Sequence, residues 1–280
     1  MANCLIAPLN WAWLQGVAFS GGNWLESLPL TRLATADPLD YARSASADPA
    51  DTCFTVTLGG QRLVDVVALF HANFTPAARI RLTSDEGWDS GWQDAWPVTH
   101  RPEGGYLPFG RPSADGRMPA DEADPRGVNF LLVLDGPITA GSLTVEIDDA
   151  DNSDGHLQAS ILFVAKGERP AVDISPGLSL GLVEEATVRR SRAGTLVGRR
   201  LWQRRRLAGA LRWQDRDRAL AHWFEAQRMA GRTRPILLSV APEPGIHRDR
   251  LTMLGHLDEP TPVEHAQWRY WGWPFALTEV

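Results

Sequence analysis

The sequence predicts a mainly β protein, with an N-terminal β-sandwich and a smaller C-terminal β domain that carries one packed helix. Three observations predict it. Residues 143–164 alternate: Leu143, Val145 and Ile147 oppose Thr144, Glu146 and Asp148, and then Leu157, Ala159, Ile161 and Phe163 oppose His156, Gln158 and Ser160. The segment from Cys53 to Thr83 has the same character, and the two together favour a sandwich over an α/β arrangement. Beyond residue 181, short strand-like runs surround a single stretch with helical spacing.

Taken in order, the first 25 residues carry no charge until Glu26 and read as a buried arm or first strand. They lack the basic start of an export signal and are broken by Pro8 and Asn10, so export is not expected. No apolar run approaches the roughly 20 residues that span a bilayer, so membrane insertion is not expected either. Residues 143–148 and 157–163 read as a half-buried antiparallel pair joined by the acidic turn 151–155. Residues 101–127 are rich in proline and glycine, without periodicity. They read as a surface insertion or as an arm that orders against a neighbouring subunit. Strand periodicity stops between Lys166 and Gly181, which predicts domains at 1–168 and 169–280. In the second domain, runs at 186–190, 199–203, 206–213, 235–240, 251–257 and 267–278 read as strands. A helix is expected near 215–230: Asp215 and Asp217 suit its first turn, Leu220, Trp223, Phe224 and Gln227 recur at helical spacing, and Gly231 closes it.

The 280 residues, 44% hydrophobic, suffice for two cores. The net charge of −6 hides an asymmetry: residues 1–170 carry 11 basic and 22 acidic side chains, whereas 171–280 carry 17 and 12. Such halves meet different neighbours. Lys166 is the single lysine among 28 basic residues, a bias that codon usage in a GC-rich genome explains most simply. Cys4 and Cys53 make no disulfide framework and fit a reducing compartment.

Four segments, FTVTLGG (54–60), VDVVALFHANFTPAARIRLTS (64–84), WDSGWQDAWP (88–97) and VEIDDADNSDGHLQASILFVA (145–165), carry a resemblance to the galactose-binding-like, discoidin-type jelly roll. In particular, they resemble its version in tail-tip proteins of tailed bacteriophages. The later order, LAGALRW, RALAHWFEAQRMAG, TRPILLSV, LTMLGHLDEP and WRYWGWPFALTEV, is similar to the β domain of phage distal tail proteins. The resemblance implies a non-enzymatic structural component of a tail tip, a distal-tail or baseplate-like ring or adaptor. It would be assembled in the host cytoplasm and located in the virion, with itself, tail tube, hub and fibres as partners. A carbohydrate-binding adhesin for host surface glycan is the alternative, and a hydrolase the third reading.

Several constellations bear on these readings. Trp88, Trp92 and Trp96, with Tyr106 from the long loop, are candidate glycan-stacking residues, against the simpler reading that they cap a core. Asp148, Asp151 and Asp154 offer oxygens to a structural Ca²⁺, although the spacing is not that of an EF-hand, and the simpler reading is a hairpin turn whose Asn and Asp side chains bond the local backbone. No other cofactor is expected. Ser179 sits in a Gly177-Leu-Ser-Leu-Gly181 pattern whose flanks do not suit a nucleophile elbow. The scattered histidines show no metal spacing. Eleven arginines lie between Arg189 and Arg218, among them Arg200, Arg204, Arg205 and Arg206. They read as a solvated face, as an intersubunit surface toward the acidic half, or as a DNA contact if they line a tail channel. Trp271, Trp273 and Phe275 complete the candidate assembly interface, because alternation gives the last strand two apolar faces.

Overall fold

The computed structural model describes residues 3–100, 116–124 and 126–280. The chain is mainly β, 48% strand against 13% helix, and its sheets are antiparallel. It divides into two compact units. One comprises Leu9–Gly167 and Pro242–Leu251; the other comprises the N-terminal strand up to Pro8, Glu168–Ala241 and Thr252–Val280. The division thus differs from 168/169 in that strand β1 (Leu5–Ala7) belongs with the C-terminal unit and Pro242–Leu251 with the N-terminal one. No helix among the described residues is long and apolar enough to cross a membrane.

In the N-terminal unit, β2 (Ala18–Ser20), β4 (Phe54–Ala72), β7 (Val128–Asp148), β5 (Arg79–Ser84) and β6 (Gln93–Asp94) lie side by side in that order, and β9 (Ile161–Ala165) pairs with β4. Strand β3 (Ala42–Arg43) pairs separately with β8 (Gln158–Ala159). The first half of β4 alternates: Phe54, Val56 and Leu58 are buried against Leu143, Val145 and Ile147 of β7 and Ile80 and Leu82 of β5. Thr55 and Thr144 meet on the opposite face through their hydroxyls at 2.8 Å. Gly59, at φ +68, then lets β4 bend, with a break in register between Thr57 and Arg62. Val64–Ala72 is buried at every position, and the segment from Asn10 to Trp13 is fastened along the neighbouring strand β9. Asn10 donates to the Leu162 carbonyl at 2.7 Å and accepts from Val164 N–H at 2.8 Å, and Trp13 meets Phe163 edge-on.

The expected hairpin of 143–148 with 157–163 does not form. β7 pairs with β4 and β5, β8 with β3, and β9 with β4. Both faces of β9 are buried although β4 is its one strand partner among the described residues, because the Asn10 side chain bonds its free edge; the acidic connection carries the chain to it from β7.

The C-terminal unit is one sheet in the order β1, β12 (Ile236–Ser239), β13 (Thr252–Leu257), β15 (Tyr270–Glu279), β11 (Leu196–Gln214), β10 (Ser179–Arg190), with β14 (Glu264–Gln267) against β15. The runs expected at 186–190, 199–203 and 206–213 are parts of one long hairpin, β10–β11. Cys4, Ile6, Leu207, Leu211, Ile236, Leu238, Met253, Leu257, Trp273, Phe275 and Leu277 bury one face of the sheet. The expected helix occupies residues 216–230 and packs on that face. Asp215 caps it by accepting from Arg218 N–H at 2.9 Å, and Gly231, at φ +53, ends it. Its buried stripe is Ala219, Trp223, Ala226 and Ala230, while Leu220 and Phe224 are exposed. The alanines let the helix approach closely enough for Trp223 to stack on Trp273, which is why this stripe wins over the bulkier one.

Candidate functional site

At one end of the N-terminal unit, four separate segments surround a cleft of about 600 Å³. The end of β4 and its loop supply His71, Asn73 and Thr75; the acidic connection supplies Asn152, Asp154 and His156; Arg43 and Gln158 come from the β3–β8 pair; Asp124 and Arg126 come from the stretch before β7. The geometry is fixed from below. His71 takes a positive φ of 54 at a break in the β4–β7 register between Leu69 and Ala72, and Gly127 crosses so close that a Cβ there would lie 2.5 Å from the Ala72 carbonyl oxygen.

The polar lining is held by its own bonds. Asn73 donates to the Asp154 carboxylate at 2.9 Å and to the His156 carbonyl at 3.0 Å, and accepts from Gln158 N–H at 2.7 Å. Buried Asp149 accepts from Thr75 N–H at 3.1 Å, from the Thr75 hydroxyl and from Asn152 Nδ2 at 2.8 Å, which ties the two loops together. Arg43 donates to Gln158 Oε1 at 2.8 Å. Burial works to raise the pKa of Asp124, but the Arg126 guanidinium and backbone N–H at its carboxylate outweigh that and hold it below the usual carboxylate range. The cleft therefore presents ionised carboxylate, amide, imidazole and guanidinium groups in set orientations.

Of the residues expected to stack on glycan, Trp96 lines this cleft, but it is buried and its Nε1 donates to the Met118 carbonyl at 2.7 Å. Trp88 is half-buried against the sandwich core. Trp92 is exposed at the sheet edge, with Arg79 5.4 Å from its ring centre. The loop that carries Trp88 and Trp92 is tied to β5 by Arg81, which, with the Gly91 N–H, lowers the pKa of Asp89 to about 2. Tyr106 and most of the loop 101–127 lie outside the described residues.

The expected Ca²⁺ set does not converge. Asp148 points to Arg79 at 2.5 Å and Asp154 is engaged by Asn73, and no group of three or more acidic, histidine or cysteine side chains gathers among the described residues. The acidic connection is instead bonded to its own backbone: Asp154 N–H donates to Asn152 Oδ1 at 3.0 Å. Ser179 opens β10 and is followed by strand, so no nucleophile elbow exists.

The expected assembly residues separate into two groups. Trp273 and Phe275 are core, 1% and 3% exposed, because the odd positions of β15 face the helix; Trp271 is half-buried beside His265. Arg205 pairs with Glu279 at 2.5 Å and Arg206 with Asp258 at 2.6 Å, so both serve the unit's interior edge. Arg200 and Arg204 lie on the β10–β11 ribbon, near Glu184 and the Trp202 ring respectively. The sequence reading missed Arg43, Asn73, Asp124, Arg126 and His156, which no spacing connects because they come from distant segments.

Neither a protein-family model nor a curated protein matches the sequence. Among solved structures, the chain is similar to the family 32 carbohydrate-binding module of NanJ from Clostridium perfringens, solved in complex with galactose. That match has 12% identity and a TM-score of 0.34, and covers 58% of this chain and 99% of that one. It is also similar to a family 32 module, CBM32-1, from a family 31 glycoside hydrolase of the same organism, with 10% identity, a TM-score of 0.33 and coverage of 54% and 95%. A family 89 glycoside hydrolase of that organism, in complex with GlcNAc-α-1,4-galactose, matches with 14% identity and a TM-score of 0.36 over 59% of this chain and 15% of that one.

Proposed function

We propose that this chain is a non-catalytic glycan-binding protein whose N-terminal unit takes a sugar in the cleft between His71, Asn73, Asp124, Arg126, Asp154 and His156. The observation that carries this reading is the prearranged polar lining. A sugar ring offers adjacent hydroxyls, each both donor and acceptor, and these match planar amide, carboxylate and guanidinium groups that bind two at a time. Groups already locked by neighbours lose little freedom when a ligand arrives. Catalysis is disfavoured by the same electrostatics: a general acid needs a raised pKa, whereas Asp124 is held ionised. Titration calorimetry against a panel of neutral and acidic glycans tests the reading. Saturable binding is expected, weakened at least tenfold in Arg126→Ala and His156→Ala. A panel with no binder for the wild type would refute it.

A second reading, a structural component of a phage tail tip placed in the virion and joined to itself, to tail tube, hub or fibres, is favoured by one specific feature. The β10–β11 ribbon leaves the C-terminal sheet with large apolar side chains exposed. Negative-stain microscopy of the purified chain should then show closed rings or stacks.

A further inference from the structure

We infer that the β10–β11 ribbon is an assembly element whose occupant is a second copy of this chain, seated through its acidic N-terminal unit. The inference rests on the second reading above only in supposing that the chain assembles, and it does not involve the cleft.

Strand β15 pairs with β11 from Arg206 to Gln214, so from Val183 and Arg204 outward the ladder has two strands only. It extends roughly 30 Å at the usual rise per residue. Paired residues lie on one face, and the face bearing Leu180 and Leu207 is the one that buries Leu211, Phe275 and Leu277 against the helix. The Arg205–Glu279 pair marks where that covered face ends. From that register outward, Leu182, which pairs with Arg205, then Val188 and Leu196 continue the same face at 64%, 60% and 61% exposure. Val197 and Trp202 are exposed on the other face, and β10 is an edge strand of the sheet. A two-stranded hairpin is marginal alone in water, and an apolar edge of this length invites a partner.

Charge selects the partner. Residues 183–204 contain six arginines and two glutamates, whereas residues 9–167 contain 10 basic and 21 acidic side chains. Two ribbons placed face to face would repel, which disfavours a twofold contact of ribbon on ribbon. Ribbon against the acidic unit of the next copy is attractive and head-to-tail, so it propagates to a ring or an open chain. The ribbon's length also matches the roughly 20–30 residues a side of a standard interface.

The test is the mass of the full chain in solution by light scattering, at roughly 50 and 500 mM salt, where screening differs strongly. Wild type is expected to assemble at low salt and to bind itself at least tenfold more weakly at high salt. Two variants, Leu182→Asp with Val188→Asp and Arg199→Glu with Arg200→Glu, are expected to be monomers with an unchanged thermal midpoint. His156→Ala is expected to assemble like wild type, so a failed glycan reading leaves this result standing. A wild type that stays monomeric at both salts, or ribbon variants that assemble like wild type, would overturn the proposal. So would a monomer that binds duplex DNA through the ribbon, which would make the arginines a polyanion surface.

Discussion

Two long antiparallel pairs run through this chain, β4–β7 in the N-terminal unit and β10–β11 in the C-terminal unit, and their sequences are built for opposite surroundings. β4 is flanked by β2, β7 and β9, and nine consecutive residues of its second half are buried. β10–β11 loses its third strand at Arg206 and is exposed from there outward. The length of the ladder is therefore no guide to its stability. What differs is the number of covered faces, at about 1.5–3 kcal/mol for each large apolar side chain fully buried.

The sharpest way to break that comparison is truncation on each side. Phe163→Ala, fully buried on β9 against Trp13, is expected to cost about 3–5 kcal/mol of unfolding free energy. Trp202→Ala on the ribbon is expected to stay within about 0.5 kcal/mol. Urea unfolding of the two variants decides it: a Trp202 cost as large as that of Phe163 would mean that the ribbon is packed in the isolated chain. An intermediate effect is expected at the seam between covered and bare ladder. Glu279→Gln, which removes the charge that holds Arg205, should lower stability by about 2 kcal/mol in the same assay.

The smallest effect concerns His256 on β13. Burial, and then the Arg204 charge at the base of the ribbon, hold its imidazole below the ordinary value of 6.5. The folded state thus binds this proton less readily than the unfolded chain. Its contribution to stability is full above 6.5 and is lost as pH falls through the depressed value. Thermal midpoints from pH 8 down to pH 5 should fall less steeply in His256→Gln, and Arg204→Gln should move the imidazole back toward 6.5 in a histidine NMR titration. An unmoved titration would show that the ribbon's base does not reach His256.

Much of the fold was legible because alternation reports which face of a strand is wet. Leu143, Val145 and Ile147 are inward as read, and so are Leu157 and Ala159, but at β9 the alternation slips by one residue: Leu162 and Val164 join that core, Ile161 and Phe163 are buried on the opposite face, and Ser160 is buried too. Alternation does not report neighbours, so β9 was paired with β7 in the reading and with β4 in the molecule. The closing aromatics show the same limit. Two apolar faces were read from Trp268 to Phe275, but Trp273 and Phe275 are core, and Trp268, 84% exposed, sits beyond the strand. The cleft was legible only at its acidic connection and at Trp96, since Asn73, Asp124 and Arg126 become neighbours solely through the crossing of loops over the end of β4.

The placement of β1 has a consequence for how the chain is made. Leu5 pairs with Ser239, so β1 leaves the ribosome well over 200 residues ahead of its partner β12. Closing so long a loop slows folding far more than it lowers stability. During synthesis the N-terminal unit has most of its sequence, and hence its core, long before the C-terminal sheet can close. One edge of the apolar strand Leu5–Ala7 can meet Glu168 through the Ile6 bridge, but its other edge stays open until β12 is made, which exposes it to chaperones and to mispairing with a neighbouring nascent chain.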